Sequence, residues 1–252
     1  MYLCNLNHLI KVLKMDFEKL NYQTAVSREA EVTAAFPALM RKVYLWMSMA
    51  LVITGLTAYV VATSDALINL IFANKAVMWI LIIAELAIVV GISAAINKLS
   101  LPVATGLFVL YSVINGAVLS SIFFIYTEGS IAMVFFITAG TFAAMSLYGY
   151  TTKSDLTSWG KILIMGVVGL IIASVVNIFL KSSTMDLIVS YIGVLIFVGL
   201  TAYDTQKIKQ MCLQAPDTGE SMQKLALLGA LSLYLDFINL FIYLLRILGS
   251  RK

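Results

Sequence analysis

Long runs of apolar residues, separated by short polar stretches, follow one another seven times along the chain. Each run is about 20 residues long, which is the length that an α-helix needs to cross a bilayer and about twice what a barrel strand needs. Because backbone groups in hydrocarbon must hydrogen-bond to one another, runs of this length predict spanning helices. The pattern therefore predicts an all-α integral membrane protein, a seven-transmembrane-helix bundle. Its runs cover residues 43–61, 77–96, 102–125, 131–150, 161–180, 187–207 and 225–248.

The residues before the first run are polar and mixed in charge. We therefore predict a cytoplasmic N-terminal tail over residues 1–36, followed by a single transmembrane domain over residues 37–252. The first fourteen residues contain a short apolar stretch but no small-residue cleavage site of the kind that ends a signal peptide. Met15 begins the sequence MDFEKLNYQ, which looks like a natural protein start, so we interpret residues 1–14 as an upstream start-site extension.

The distribution of lysine and arginine between alternate connections predicts the orientation, because cytoplasmic loops carry an excess of positive charge. With the N-terminus inside, the cytoplasmic side holds Arg28, Arg41, Lys42, Lys98, Lys153, Lys161, Lys207, Lys209 and Lys224. The opposite side then holds Lys75, Lys181, Arg246, Arg251 and Lys252. This bias favours a multi-pass protein of the inner (plasma) membrane with a cytoplasmic N-terminus and an external C-terminus.

The composition is typical of a protein solvated by lipid, and it excludes several functional classes. Hydrophobic residues make up 61% of the chain and charged residues 12%, whereas soluble domains carry about 25% charged residues. The net charge of +4 is spread over tails and loops, without the basic stripe of a nucleic-acid-binding protein. One histidine and two distant cysteines offer no metal-ligand spacing, and no hydrolase motif occurs in the runs. We therefore predict a protein that is not an enzyme and binds neither a cofactor nor nucleic acid.

Three carboxylates lie within or near the apolar runs: Glu85, Asp204 and Asp236. A charged group at the bilayer centre costs about 3 kcal/mol, so such residues usually face the bundle interior and have a functional role. Asp236 is about twelve residues into the last run, which places it about 18 Å along the helix, near the middle of the membrane. At helical spacing it shares one face with the supporting polar residues Ser232, Asn239 and Tyr243.

Asp204 is near the cytoplasmic end of the sixth run, and two interpretations of it are open. It is either an interfacial aspartate that pairs with Lys207 three residues later, or a partner that meets Asp236 across the sixth and seventh helices. Two carboxylates in contact cannot both ionise cheaply, so such a pair would hold one proton between them. Once both protons leave, the pair could transiently bind a divalent cation such as Ca²⁺. The role of Glu85, which could face a cavity or act as a neutral hydrogen-bonding acid, is also open.

Small residues recur at helix-contact spacing in the third and fourth runs. Small side chains let helix backbones approach closely in a membrane, so these stripes predict packing faces of the bundle. The two stripes step by four residues and consist of Ser112, Gly116 and Ser120, and of Gly140, Ala144 and Tyr148.

Two segments resemble signatures of a known family, the transmembrane Bax inhibitor motif (Bax inhibitor-1-like) proteins. The last helix of that family closely resembles residues 230–249, ALSLYLDFINLFIYLLRILG, and its sixth helix resembles residues 201–209, TAYDTQKIK. The resemblance implies a bacterial member with six helices around a central seventh, and a pH-sensitive calcium leak. It also implies that Asp204 and Asp236 form an aspartyl dyad that acts as the pH sensor. Glu85 aligns with an acidic position in the second helix of one bacterial branch.

In that bacterial branch, an arginine at the end of the second helix latches onto one of the two aspartates. The sequence here is SAAINKLS over residues 93–100, with Ile96 and Asn97 where the arginine is expected. Lys98 is the only nearby cation in the sequence and is the candidate latch, although a lysine cannot make the two-pronged contact of a guanidinium. The direction of the pH response stays open, because protonation could either seal the dyad or release a latch.

Three functions are open for such a protein. The first is a pH-sensitive calcium or general cation leak channel that is gated by the dyad, with Ca²⁺ and H⁺ as its ionic partners and the lipid bilayer as its solvent. The second is a proton-coupled transporter, since buried carboxylates also serve proton relays. The third is an interaction protein whose tail contacts a membrane protease, because another branch of the family is similar to a modulator of the protease FtsH.

Overall fold

The structure is a computed structural model that describes the backbone of residues 2–214 and 219–252. Side chains are described for residues 34–212 and 219–252, and also for Lys14, Lys19 and Tyr22. The helices within these residues are α1 (Tyr2–Ala62), α2 (Asp65–Phe72), α3 (Lys75–Ala95), α4 (Leu101–Leu119), α5 (Ile122–Ile125), α6 (Glu128–Thr151), α7 (Thr157–Leu180), α8 (Ser183–Gln214) and α9 (Glu220–Leu248).

Seven helical stretches in the described part of the chain are long and apolar enough to span a membrane, which confirms the predicted number of spans. The apolar pattern does not predict the short helix α2, because its eight residues are too few to span a bilayer. The spans are Ala34–Ala62, Lys75–Ala95, Leu101–Ile125, Glu128–Thr151, Thr157–Leu180, Ser183–Cys212 and Glu220–Leu248.

The first helix joins the predicted tail to the first span. α1 continues through Pro37 without a break, so the predicted boundary between residues 36 and 37 falls inside one helix. The division of the chain into a tail and a membrane domain stays a prediction, as does the start-site extension over residues 1–14. Met1 itself lies outside the described residues.

The last two spans extend beyond their apolar runs into polar sequence. α8 continues to Gln214 and α9 begins at Glu220, so most of the sequence between the sixth and seventh apolar runs is helical, although residues 215–218 lie outside the described part. Polar residues continue a helix when they pair along it, as Lys224 and Glu220 do with 2.9 Å between Nζ and Oε1. Hydrophobicity alone therefore underestimates the length of both helices.

The last helix, α9, lies at the centre of the bundle, as the family resemblance implies. In the most apolar stretch of α9, 67% of the residues are buried, against 6% in α3 and 6% in α7. α9 packs against α1, α3, α4, α6 and α8. Its buried residues cover more than half of the helix circumference, so most polar groups on α9 meet protein instead of lipid.

One of the two predicted small-residue stripes is a packing face and the other is not. Ser112, Gly116 and Ser120 are buried, and a Cβ on Gly116 would lie 2.5 Å from the carbonyl oxygen of Thr54 on α1. Gly140 has nothing within 4 Å of such a Cβ, and Ala144 and Tyr148 are also exposed, so the prediction for that stripe is wrong. The buried face of α6 instead carries Ser130, Val134, Thr138, Phe142, Ser146 and Gly149. Lipid is as apolar as a neighbouring helix, so small residues alone cannot tell the two faces apart.

Candidate ion-pathway site

Asp236 lies inside the bundle on α9 and is only 4% exposed. Its Oδ2 is the one buried side-chain nitrogen or oxygen without a hydrogen-bond partner among the described residues. A buried polar atom without a partner costs about 1–3 kcal/mol, so a carboxyl retained only for packing would be expected to have its oxygens bonded. The surroundings of Asp236 therefore differ from those expected of a carboxyl that serves packing alone.

Asp204 lies on α8, which packs against the helix α9 that carries Asp236. It is half-buried, and its carboxylate is one of the two charged groups that act electrostatically on Asp236. The structure thus brings together the two aspartates that sequence reasoning selected. It also accommodates both interpretations of Asp204, because the lysine three residues along α8 acts on it as well.

Lys207 is the cation beside the two aspartates. Its charge acts on both Asp204 and Asp236, and its ammonium lies 5.7 Å from the centre of the Tyr203 ring. Lys98, the candidate latch, is instead exposed in the turn that follows α3. The structure therefore places Lys207, and not Lys98, next to the pair, because residues three apart on a helix lie on the same side of it.

A chain of hydroxyl groups reaches the residue next to Asp204. Thr205 donates to the backbone oxygen of Thr201 at 2.8 Å, so the 3.0 Å contact between Ser146 and Thr205 has Ser146 as its donor. The hydroxyl of Tyr44 is 2.5 Å from Ser146 and must then donate to it. These bonds connect α1, α6 and α8 beside an apolar groove that opens between α1 and α6 and is lined in part by Tyr44 and Ser146.

Glu85 belongs to a second polar chain, on the other side of α9. Asn115 donates from Nδ2 to Oε1 of Glu85 at 3.0 Å and accepts at Oδ1 from the Tyr234 hydroxyl, also at 3.0 Å. The Tyr234 hydroxyl lies 2.7 Å from that of Thr54, which donates to the backbone oxygen of Ser112. Glu85 thus accepts a hydrogen bond inside the bundle, and its chain joins α3, α4, α9 and α1.

In the described part of the chain, no hydrogen bond joins Asp236 to the other residues of the predicted polar stripe. Ser232 is half-buried on α9, and the amide of Asn239 donates to the Leu235 carbonyl of its own helix at 2.8 Å. Tyr243 stacks on Phe197 with 5.8 Å between ring centres and belongs to another cluster near the end of α9. The stripe prediction is correct in helical geometry, but Ser232 and Tyr243 are eleven residues apart, about three turns along the helix.

Sequence reasoning missed several residues of the two polar chains, including Tyr44, Thr54, Asn115 and Tyr234. Their hydroxyl and amide groups are common in membrane helices, and no single-helix periodicity links residues on four different helices. Tyr234 lay within reach of such reasoning, because it is two residues from Asp236 and thus about 200° around the helix. The signal that could have identified Tyr234 is a second polar face on the last helix.

A Ca²⁺ ion would find only a sparse set of ligands at this site. Within the described residues, no group of three or more histidine, cysteine, aspartate or glutamate side chains converges. Resident calcium sites use six to eight oxygens, as a general rule. The carboxylates of Asp204 and Asp236 supply at most four such oxygens.

Comparison with known proteins gives a consistent result along nearly the whole chain. Residues 37–252 match the family described as "Inhibitor of apoptosis-promoting Bax1". Inner membrane protein YbhL of Escherichia coli K12 is 52% identical over 220 residues, which make up 87% of this chain and 94% of YbhL. An uncharacterized protein of Borreliella burgdorferi is 49% identical over 213 residues, 84% of this chain and 92% of that protein. Protein RP147 of Rickettsia prowazekii is 43% identical over 229 residues, 91% of this chain and 96% of RP147.

Proposed function

This chain belongs to the Bax inhibitor-1-like family of multi-pass membrane proteins, and from that premise we propose that it is a pH-sensitive calcium (cation) leak channel gated by Asp204 and Asp236. The single observation that carries the proposal is the buried carboxyl of Asp236 on the central helix, with its unpartnered Oδ2 and with Asp204 acting on it from α8. Together these two groups form a unit whose charge depends on pH.

The gating rests on the repulsion between two carboxylates in a medium of low dielectric constant. With one shared proton the pair carries a single negative charge, which Lys207 can balance. Loss of that proton adds a second negative charge between α8 and α9, so either a cation must enter or the two helices must separate. Ca²⁺ suits this position because it prefers carboxylate oxygens and carries two charges.

In this proposal, α3 is the helix that moves when the channel opens. It is the least buried span together with α7, and a polar chain ties it to the centre through Glu85, Asn115 and Tyr234. Tyr234 and Asp236 lie on the same helix, so a shift of α9 that follows a change in the dyad would also act on this chain.

The proposed location is the inner membrane, with the N-terminus in the cytoplasm. The name of the relative YbhL, an inner membrane protein, supports the inner-membrane location. The excess of lysine and arginine on the N-terminal side supports the cytoplasmic position of the N-terminus. In this orientation Asp204 lies in the cytoplasmic half of the bilayer, where it would sense cytoplasmic pH.

The test is calcium entry into liposomes that contain the purified full-length protein and an enclosed calcium indicator, measured across the physiological pH range. We expect the wild type to give a pH-dependent flux, and Asp204→Asn and Asp236→Asn to lose most of that dependence. Asp155→Asn is the matched control, because Asp155 is exposed in the turn between α6 and α7. Hydrogen bonds from Thr157 hold the pKa of Asp155 below its usual value of 3.8, so this carboxyl stays ionised throughout the assay. A wild-type flux that does not change with pH, and that neither aspartate substitution alters, would reject the proposal.

The two alternative functions predict different experimental outcomes. A proton-coupled transporter would move protons with a saturable substrate, and its calcium flux would be absent. A modulator of a membrane protease such as FtsH that acts through its tail would lose its effect on the protease when the predicted tail, residues 1–36, is deleted, whereas a leak should survive that deletion.

A further inference from the structure

A polar cleft lies at the end of the bundle where α7 and α9 end and α8 begins. It has a volume of about 510 Å³ and adjoins a second pocket of about 260 Å³. Three cations and one acid line the larger part: Lys181, Arg246, Arg251 and Asp186. The charge of this lining is therefore +2, which favours an anionic ligand.

Contacts within the protein fix the position of the Arg246 side chain. Its Nη1 lies 3.2 Å from Oδ1 of Asp186, and its guanidinium carbon lies 5.6 Å from the centre of the Tyr243 ring. A guanidinium has five N–H donors in a planar fork, and the contact with Asp186 engages one of its nitrogen atoms. The geometry thus offers a fixed positive group with donors to spare, which suits the oxygens of a phosphate.

Lys181 reaches the cleft from an unusual backbone conformation. Its φ of 50° and ψ of 34° are left-handed, and it is the only residue other than glycine with a positive φ in the described part of the chain. This position caps α7, since the Lys181 N–H donates to the Asn177 carbonyl at 2.7 Å. Glycine is the usual residue at such a cap because a side chain strains the left-handed backbone conformation. A lysine at this position keeps a cation on the rim of the cleft despite that strain.

The backbone around Arg251 is fixed independently of its side chain. Arg251 forms an antiparallel bridge with Tyr126, and Thr127 donates to the Ser250 carbonyl at 3.1 Å. These bonds hold the C-terminal segment against the connection between α5 and α6. The guanidinium of Arg251 can therefore be removed without loosening the segment that carries it.

The surface beside the cleft is apolar and faces outward. Phe179 and Leu180 at the end of α7 are 81% and 63% exposed, and Leu187 on α8 and Leu248 on α9 are 47% and 43% exposed. In a membrane-spanning bundle such side chains contact acyl chains, so the cations of the cleft lie at the level of the lipid headgroups. A free phosphate would use the cations alone, whereas a phospholipid would use both the cations and this apolar surface.

We propose that this cleft binds the phosphodiester headgroup of an anionic phospholipid through Lys181, Arg246 and Arg251, with its acyl chains on the apolar surface of α7, α8 and α9. Such a lipid would bridge the ends of three spans. The site is separate from the aspartyl pair, because Arg246 is ten residues beyond Asp236 on α9, about 15 Å along the helix.

The test is the thermal unfolding of the full-length protein in a neutral detergent, titrated with phosphatidylglycerol, phosphatidylcholine or inorganic phosphate. The site variant is Lys181→Gly with Arg251→Gln. It relieves the strained cap, leaves the backbone bridge intact, and spares Arg246, whose loss would leave Asp186 unpaired. The control is Lys75→Gln with Lys153→Gln, which removes the same charge from two exposed positions elsewhere.

We expect phosphatidylglycerol to raise the melting temperature of the wild type and the control, and phosphatidylcholine to have little effect. For the site variant, the apparent affinity for phosphatidylglycerol should fall by about 30-fold, the factor expected for two cations near an anionic headgroup. Equal stabilisation of the site variant and the control would overturn the proposal. A saturating shift by inorganic phosphate equal to that by phosphatidylglycerol would also overturn it, because the ligand would then be a free anion.

Native mass spectrometry of the wild type gives a second readout that does not depend on how the variants fold. We expect phosphatidylglycerol to stay bound at collision energies that remove phosphatidylcholine. Loss of both lipids at the same energy would contradict a specific headgroup site.

Discussion

Asp236 and Tyr234 are two residues apart on α9 and face opposite sides of it. The charges of Asp204 and Lys207 act on Asp236, while Tyr234 donates to Asn115 and its hydroxyl lies 2.7 Å from that of Thr54. Both side chains are buried, so α9 carries two polar clusters through the centre of an otherwise apolar bundle. A shift of α9 that follows a change in the charge of one cluster would therefore also move the other.

At the residue scale, the hydrogen bond between Asn115 and Glu85 yields a direct stability prediction. Glu85→Gln keeps an oxygen that can accept from Asn115, so the free energy of unfolding should change by about 1 kcal/mol or less. Glu85→Ala leaves the Asn115 amide without this acceptor and should cost about 1–3 kcal/mol. Thermal unfolding in detergent measures both variants. Equal losses would show that the charge of Glu85, and not its hydrogen bond, stabilises the fold.

Sequence reasoning found the acidic residues but only part of their surroundings. The cost of placing a carboxylate in lipid singles out Glu85, Asp204 and Asp236, whatever the fold. The neighbours Asn115, Thr54 and Ser146 carry no such penalty, and their partners are 30 or more residues away along the chain. Only the packing of the helices brings these groups together.

At the scale of helices, close packing depends on which face of each helix a small residue occupies. Gly149 and Gly140 are both on α6, but only Gly149 faces another helix. A Cβ on Gly149 would overlap the carbonyl oxygen of Ala202 on α8 and lie 2.8 Å from its Cα. Since both obstacles are backbone atoms, α6 and α8 would have to move apart, and α8 carries Asp204.

Alanine substitutions at these two glycines therefore form a matched pair. Gly149→Ala should lower the free energy of unfolding by about 1–3 kcal/mol, because overpacking displaces backbone. Gly140→Ala should be neutral or slightly stabilising, because the position is open and alanine favours a helix by about 1 kcal/mol over glycine. The melting temperatures of the two variants and the wild type, measured in the same detergent, test both predictions. A larger loss for Gly140→Ala would contradict the packing of α6 against α8.

The number and order of the spans could be predicted because a bilayer imposes a minimum apolar length on every crossing. The extents of α8 and α9 could not, because both helices continue into polar sequence, as α9 does at the pair of Lys224 and Glu220. Which face of α6 is buried could not be predicted either, since Gly140 and Gly149 are the same residue type in equally apolar surroundings. Hydrophobicity thus predicts which segments enter the membrane, and packing decides which side of each segment is buried.

At the scale of the whole molecule, seven spans put the two termini on opposite sides of the membrane. The bias of lysine and arginine predicts a cytoplasmic N-terminus. Fusions at the C-terminus of the full chain test this orientation in cells. Alkaline phosphatase should be active there and green fluorescent protein should stay dark, because only the former matures outside the cytoplasm. The reverse pattern would invert the proposed orientation and move Asp204 to the outer half of the bilayer.

The central claim is that Asp204 and Asp236 act as one proton-sharing unit, and a double-mutant cycle on the pH profile of calcium flux tests it most directly. Wild type, Asp204→Asn, Asp236→Asn and the double variant are compared in the same liposomes, with retained folding checked by size-exclusion chromatography. A shared proton predicts that each single substitution removes most of the pH response and that the double variant removes no more. A full wild-type response in either single variant, or losses that simply add in the double variant, would contradict the claim.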